Sequence, residues 1–335
     1  MISGTMTRRR MIGISAAAAG MALLPLQGRA APESTPEAVT WRGEAMGAQA
    51  FLVIHHPDRA KAQRLAEATV AEVRRLERIF SLYRDDSDLT RLNRQRFLVA
   101  PPKELVELLR QSRAVWALTG GAFDPTVQPL WDAYRRHFST PDASEAGPPA
   151  AALRECLARV GLDRVACSPD RIELSVPGSA LTLNGIAQGY VTDKVVNLLK
   201  AGGIERSMVD MGESRAIGSA PGDRPWRIGI SDPRDAARVL KVLDVEDRAV
   251  ATSSPFGFRF DGEGKFSHII DPRSGATPQR HASVTVVAGQ AALADALSTA
   301  FNLMDADAVA AMARRMGAVE AHLLAHDGVW THIGG

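Results

Sequence analysis

Strand-like and helix-like runs alternate along this 335-residue chain without the even spacing of a βαβ repeat. A doubly wound parallel sheet needs that repeat, so the pattern predicts an α+β fold of mixed or antiparallel sheets packed with helices. Residues 40–56 alternate and read as a strand entering from Met46-Gly47. Residues 58–80 carry a helical period through Ala62, Leu65, Ala66, Thr69, Val73, Leu76 and Phe80. Further helices are predicted over 103–118, 150–160, 186–201, 291–303 and 307–316, and residues 81–94 lead through a charged loop into a short helical turn. Short strands are predicted over 163–167, 171–176, 206–210, 214–218, 226–231, 240–245, 249–252, 265–270 and 283–288, with one or two more within 319–333. Residues 138–151 are polar and rich in Pro and Gly, an exposed loop. No internal repeat is present, and nothing after residue 40 is long and apolar enough to span a bilayer.

The first thirty residues read as a targeting segment. Thr7-Arg8-Arg9-Arg10-Met11-Ile12 is a twin-arginine pattern, an Ala/Gly-rich apolar stretch runs to Leu26, and Gly28-Arg29-Ala30 supplies small residues for cleavage after Ala30. The expected location is therefore periplasmic, with 31–39 a linker and 40–333 the working domain. The whole chain has 40 Lys+Arg and 38 Asp+Glu; residues 1–30 hold four arginines and no acids, so the mature chain has 36 against 38. Its net charge would be −2, which gives no electrostatic case for nucleic acid as a partner. The two cysteines, Cys156 and Cys167, belong to no metal-ligand spacing. They are either a disulfide formed in an oxidising compartment or two reduced thiols.

The most informative short string is Asp295-Ala-Leu-Ser298-Thr299, at the end of a strand–Gly289–helix unit. Asp295, Ser298 and Thr299 stand at i, i+3 and i+4, so their oxygens leave one helix face. One carboxylate and two hydroxyls suit a Mg²⁺ that completes its octahedron with water and phosphate. The alternative is a small-residue helix whose hydroxyls bond back to their own carbonyls. Three other strings stand out. Thr119-Gly-Gly-Ala122-Phe123-Asp124-Pro-Thr126 is either a turn that brings backbone close to a ligand or a helix C-cap. Leu183-Asn184-Gly185-Ile186-Ala187-Gln188-Gly189-Tyr190 enters a helix whose N-terminus is a natural phosphate seat. His268, read as lying at a strand end before Asp271-Pro272, is either a general base or a packed histidine.

Each string is weak alone, but their order is specific. Met46-Gly47, FSLYRDDSDLTRLN, TGGAFDPTVQPLW, LNGIAQGYVTDKVVNLL, SMVDMGES, AVATSS, HIIDPRSG and SVTVVA…ADALSTA together resemble the FAD:protein FMN transferase (ApbE) family over residues 40–333. The resemblance implies a T-fold-related α+β architecture. It also implies a Mg²⁺-dependent enzyme that takes FAD, releases AMP and links FMN to a Thr or Ser of a target flavoprotein. In layout the chain is similar to exported (NosX-like) members serving nitrous oxide respiration, whose target is a membrane-bound, NosR-like electron-transfer protein.

Carried over by position, the resemblance gives Met46, Tyr83, Ala122, Phe123, Asp124, Thr182, Gln188, His268 and Ile269 as FAD contacts. It gives the Gly185 carbonyl, Asp295, Ser298 and Thr299 as metal ligands, and His268 and Asp295 as the groups closest to catalysis. Thr182 and Gln188 stand where the family usually has Asp and Lys, and Gly212-Glu213-Ser214 stands where it has Gly-Gly-Asp. Two other readings remain open at this level: an FAD pyrophosphatase that gives FMN and AMP, and an exported protein that binds or delivers FAD without chemistry.

Overall fold

The computed structural model describes residues 21–23 and 38–334. The expected signal and linker therefore lie outside the described residues, apart from strand β1 (Met21–Leu23) and the residues just before position 40. The α+β expectation holds. Eight antiparallel strands form the central sheet in the order β14-β13-β12-β11-β8-β7-β3-β2. They are β2 (Val39–Ala45), β3 (Ala48–His55), β7 (Arg206–Asp210), β8 (Ser214–Ile217), β11 (Ala249–Ser253), β12 (Ser283–Ala288), β13 (Glu320–Leu324) and β14 (Trp330–Ile333). A small sheet, β1-β9-β10, adds β9 (Trp226–Asp232) and β10 (Asp235–Val245); another joins β4 (Phe97–Val99), β6 (Arg171–Leu174) and β5 (Val165–Cys167).

Period-2 alternation sends successive side chains to opposite faces of the central sheet. Leu52, Ile54, Val284 and Val286 join the main core with helices α1 (Arg59–Phe80), α6 (Ala187–Ala201) and α7 (Ala291–Phe301). Phe51, Val53, Met208 and Val287 pack on the other side against Trp226, Ile228 and Val245 of β9 and β10. Fully burying one such aliphatic side chain contributes roughly 1.5–3 kcal/mol. Helix α1 follows its sequence period: Asp58 caps it by accepting the Lys61 N–H at 2.9 Å, and Ala62, Ala66, Thr69, Val73 and Leu76 are buried. Helices α2 (Asp88–Gln95), α3 (Lys103–Leu118), α5 (Ala150–Leu157) and α8 (Ala306–Met316) complete the frame around them.

Three expectations change. The single strand over 40–56 is a hairpin, because Met46 and Gly47 both take positive φ (52° and 79°) in a two-residue loop. That is the geometry of a type I′ turn, and the Met46 N–H is held by Glu77 Oε1 at 2.7 Å. The predicted strand 265–270 is irregular, with only an isolated bridge between Ser267 and Arg259. The Asp261 carboxylate takes the Lys265 and Phe266 N–H groups instead, at 2.9 and 2.8 Å. Helix α4 (Gln128–Phe138) was not expected at all. It starts through Pro129, which is tolerated in a first helical turn. Both cysteines are free thiols, Cys156 buried and Cys167 half-buried. Among the described residues no helix is long and apolar enough to cross a membrane.

One buried histidine makes the fold acid-sensitive. His322 on β13 stacks on His332 of β14, ring centroids 4.6 Å apart, with Lys241 Nζ 3.0 Å from its Nδ1. Burial, then the Lys241 and His332 charges, hold its pKa down to about 4, against an ordinary 6.5. The unfolded chain therefore takes up this proton first as pH falls. Stability is complete above about pH 6.5 and declines towards pH 4, by up to ~3 kcal/mol from this group. The substitution His322→Gln should flatten that limb of the melting temperature against pH; an unchanged slope would assign acid sensitivity to other groups.

Candidate functional site

A cavity of about 370 Å³ opens where α4, α6 and α7 meet the segment 268–272. One wall is the turn Ala122–Pro125 with Gln128 and Trp131 of α4. His268, Ile269 and Ile270 also line the cavity, as do Leu82 and Tyr83. Gly185, Gln188, Asp295 and Thr299 line it from the α6 and α7 side, joined by Ser253 at the end of β11. The fold thus gathers Tyr83, Ala122, Phe123, Asp124, Thr182, Gly185, Gln188, His268, Ile269, Asp295 and Thr299 from segments far apart in sequence. Met46 and Ser298 do not line the cavity. Met46 is fixed in the hairpin turn. Ser298 is buried, its hydroxyl donates to the Asp295 carbonyl at 2.9 Å, and it shares a 2.7 Å bond with Ser253. For Ser298, the back-bonded alternative is what the structure displays.

The acids differ in environment. Asp124 is committed to architecture: Oδ1 accepts from the Thr126 N–H and hydroxyl at 2.8 and 2.5 Å, and Oδ2 accepts the Leu162 N–H at 3.2 Å. Asp295 is almost fully buried and its Oδ2 accepts the Gly189 N–H at 3.1 Å. Burial pushes its pKa up to about 7, the Gly189 bond opposes this, and the Asp193 charge adds to it. Behind it lie two more buried acids. Asp210 accepts from the Gly212 N–H and the Ser214 hydroxyl, while Glu213 Oε2 has no partner among the described residues. Burial first, then the Asp295 and Asp210 charges, raise Glu213 well above the ordinary carboxyl range.

His268 carries the other functional feature. Its Nδ1 lies 3.0 Å from the Phe258 carbonyl, which can only accept, so Nδ1 bears the proton and Nε2 keeps a lone pair. Burial lowers its pKa below the ordinary 6.5, so the ring is neutral at pH 7. At the α6 N-terminus the expected phosphate seat is narrower than the sequence suggests. The Ile186 and Ala187 N–H groups go to the Leu183 carbonyl, and that of Gly189 goes to Asp295.

The comparisons with known proteins decide the family. The ApbE family model matches residues 46–323. The chain belongs to the ApbE family. An FAD:protein FMN transferase of Klebsiella pneumoniae (strain 342) is 28% identical over 299 residues, covering 86% of this chain and 84% of its own length. One from Vibrio cholerae serotype O1 is 32% identical over 232 residues, covering 67% and 68%. The apo crystal structure of Pseudomonas stutzeri flavinyl transferase ApbE is similar with a TM-score of 0.75 at 29% identity, covering 90% of this chain and 97% of its own. The ApbE protein of Thermotoga maritima gives a TM-score of 0.79 at 28% identity, covering 89% and 97%.

In this ApbE chain the donors near α7 fit Mg²⁺. Asp295 and Thr299 present a carboxylate and a hydroxyl to the cavity, and the Gly185 backbone lies so close that an added Cβ would sit 3.0 Å from Thr299 Oγ1. This is a hard-oxygen set that leaves positions for water and phosphate. Among the described residues, Glu320, His322 and His332 form the one group of three metal-ligating side chains with ligand atoms within 4.8 Å. They share no residue with the cavity, and protein cations already occupy them: Lys241 on His322 and Arg248 on Glu320.

At the two ApbE departures, the Thr182 N–H donates to the Pro125 carbonyl at 2.8 Å, and Gln188 is buried beside Gly212. Sequence reasoning missed Trp131, because α4 was missed, and Asn184, whose amide donates to the Tyr83 hydroxyl at 3.2 Å beside the cavity. It also missed Ser253, although the AVATSS string contains it.

Proposed function

We propose that this ApbE protein is a Mg²⁺-dependent transferase that moves FMN from FAD to a Thr or Ser hydroxyl of a target flavoprotein and releases AMP. The observation that carries this reading is the junction of Gly185, Asp295 and Thr299 at the cavity, an oxygen face suited to a cation beside a phosphate. Those three residues would hold Mg²⁺, which when bound neutralises charge on the pyrophosphate and on the leaving AMP. The acceptor oxygen bonds to the phosphorus nearest the riboflavin as the bond from that phosphorus to the AMP oxygen breaks. The hydroxyl proton passes to a base, and the lone pair on His268 Nε2 suits that task. The twin-arginine pattern supports export to the periplasm with cleavage after Ala30, and hence a target exposed there, such as a membrane-bound electron-transfer flavoprotein.

The test mixes the mature chain with FAD, Mg²⁺ and a target peptide carrying an acceptor Thr. Flavin fluorescence on the target in a denaturing gel, with AMP in equal amount, is the expected result. AMP and free FMN without a labelled target would make the protein a pyrophosphatase, and FAD binding without AMP would make it a carrier. The substitution His268→Gln should lower kcat by ~10²–10⁴-fold, a larger loss than any in FAD affinity. It should also remove the acid-side fall in rate expected of the wild type, which burial of His268 shifts to lower pH than for a free imidazole. Unchanged kcat would assign the proton to another base.

A further inference from the structure

Helix α7, which carries Asp295 and Thr299, begins without a cap of its own: Gln290 precedes it and makes no side-chain capping bond. The first N–H groups of a buried helix need acceptors. Here another helix supplies them. Asp193 of α6 accepts the Ala291 N–H on Oδ1 at 2.9 Å and the Ala292 N–H on Oδ2 at 3.0 Å. Arg215 of β8 pairs with the same carboxylate, and both side chains are only 13% exposed. The pair therefore adds no net charge beside the acids at 210, 213 and 295.

One turn earlier on the same face of α6, the Gly189 N–H donates to Asp295. Gly189 also lets the helices touch, since a Cβ there would lie 2.3 Å from the Ala291 carbonyl oxygen. The two polar ties are a turn apart on both helices, at 193 to 291–292 and at 189 to 295. A slide of α7 by one turn, about 5.4 Å, would break both.

We infer that Asp193 is a positioning residue for the site: it caps α7 from α6 and so sets how Asp295 and Thr299 meet the Gly185 backbone. The inference rests on the reading that this oxygen face holds Mg²⁺, but the cap itself has a separate readout. The variants are Asp193→Ala, Asp193→Asn, and Asp193→Asn combined with Arg215→Gln, which removes both charges together. Amide hydrogen exchange across residues 289–297 and calorimetric Mg²⁺ titration of the FAD-loaded protein are compared with wild type.

Exchange in the first turn of α7 should quicken at least ~10-fold while α1 is unchanged, and Mg²⁺ affinity should fall on the order of 10–100-fold, as for lost outer-shell partners. Asp193→Glu should recover part of both. The double variant should behave like Asp193→Asn if the cap matters, and like wild type if only a stranded Arg215 does, which would overturn the inference. Wild-type exchange in α7, or wild-type Mg²⁺ affinity in every variant, would overturn it as well. Should the wild type itself bind no Mg²⁺, the metal reading fails on its own, and the exchange result alone decides whether Asp193 positions α7.

Discussion

Asp295→Ala is expected to lower Mg²⁺-dependent release of AMP from FAD by at least ~10³-fold, the equivalent of the several kcal/mol that a well-placed metal contributes. The protein should stay folded, because the side chain costs stability where it stands. Burial pushes the Asp295 carboxyl up to about 7 from an ordinary 3.8. Between those values the folded chain holds a proton that the unfolded chain has lost, so the contribution of this one group falls as pH rises from about 4 to 7, opposing that of His322. Above pH 7 without metal, the native state carries a buried charge that it tolerates poorly. Asp295→Asn, which keeps the shape and drops the charge, should therefore melt above wild type at pH 8 in chelator and close to wild type at pH 4. Retained AMP release in either variant, or a lower melting temperature for Asp295→Asn at pH 8, would remove Asp295 from the site.

The second large effect is on packing. A Cβ on Gly189 would lie 2.3 Å from the Ala291 oxygen and 2.6 Å from the Ala292 nitrogen. Both are backbone atoms of a buried helix and cannot rotate away as a side-chain end can. Gly189→Ala should cost at least ~3 kcal/mol, the upper range for overpacking, and lower the melting temperature by roughly 6 °C or more. It should also reduce AMP release, because the helix that moves is the one carrying Asp295. Gly120→Ala is the control. Nothing lies within 4 Å of its Cβ, and only a φ of +58° opposes the substitution, at roughly 1–2 kcal/mol. Calorimetry showing Gly189→Ala no less stable than Gly120→Ala would mean that the two helices have slack.

How much of this was legible depends on where each partner lies. Helix α1 could be read because its apolar period is long and uninterrupted, and α7 because Asp295 and Thr299 share a helical face whatever surrounds them. Ser298 shares the spacing but not the role, because Ser253, 45 residues away, takes its hydroxyl. The segment 265–270 alternates like a strand, yet Asp261 captures the N–H groups that a ladder would need. Helix α4 is short, polar on one side and entered through prolines, which masks its period. The sequence shows Gly189 and Asp193 only as a glycine and a lone acid inside a helix. Their partners at 291, 292 and 295 lie about a hundred residues on, beyond any local pattern.

The central sheet joins its N-terminal hairpin to its other six strands at one seam, where Phe51 to His55 of β3 pair with Arg206 to Asp210 of β7. Everything between, including the 122–125 wall of the cavity and all of α6, is a loop in terms of the central sheet. Closing a loop of that length must precede the contacts that reward it, so assembly of this sheet is intrinsically slow. Residues 291–299 of α7 are made later still and complete the lining from a third region of the chain. The pocket is consequently among the last parts of the molecule to exist during synthesis. A transport route that threads chains unfolded would have to hold this seam apart until passage was complete, whereas a route that carries finished proteins could wait for it to close.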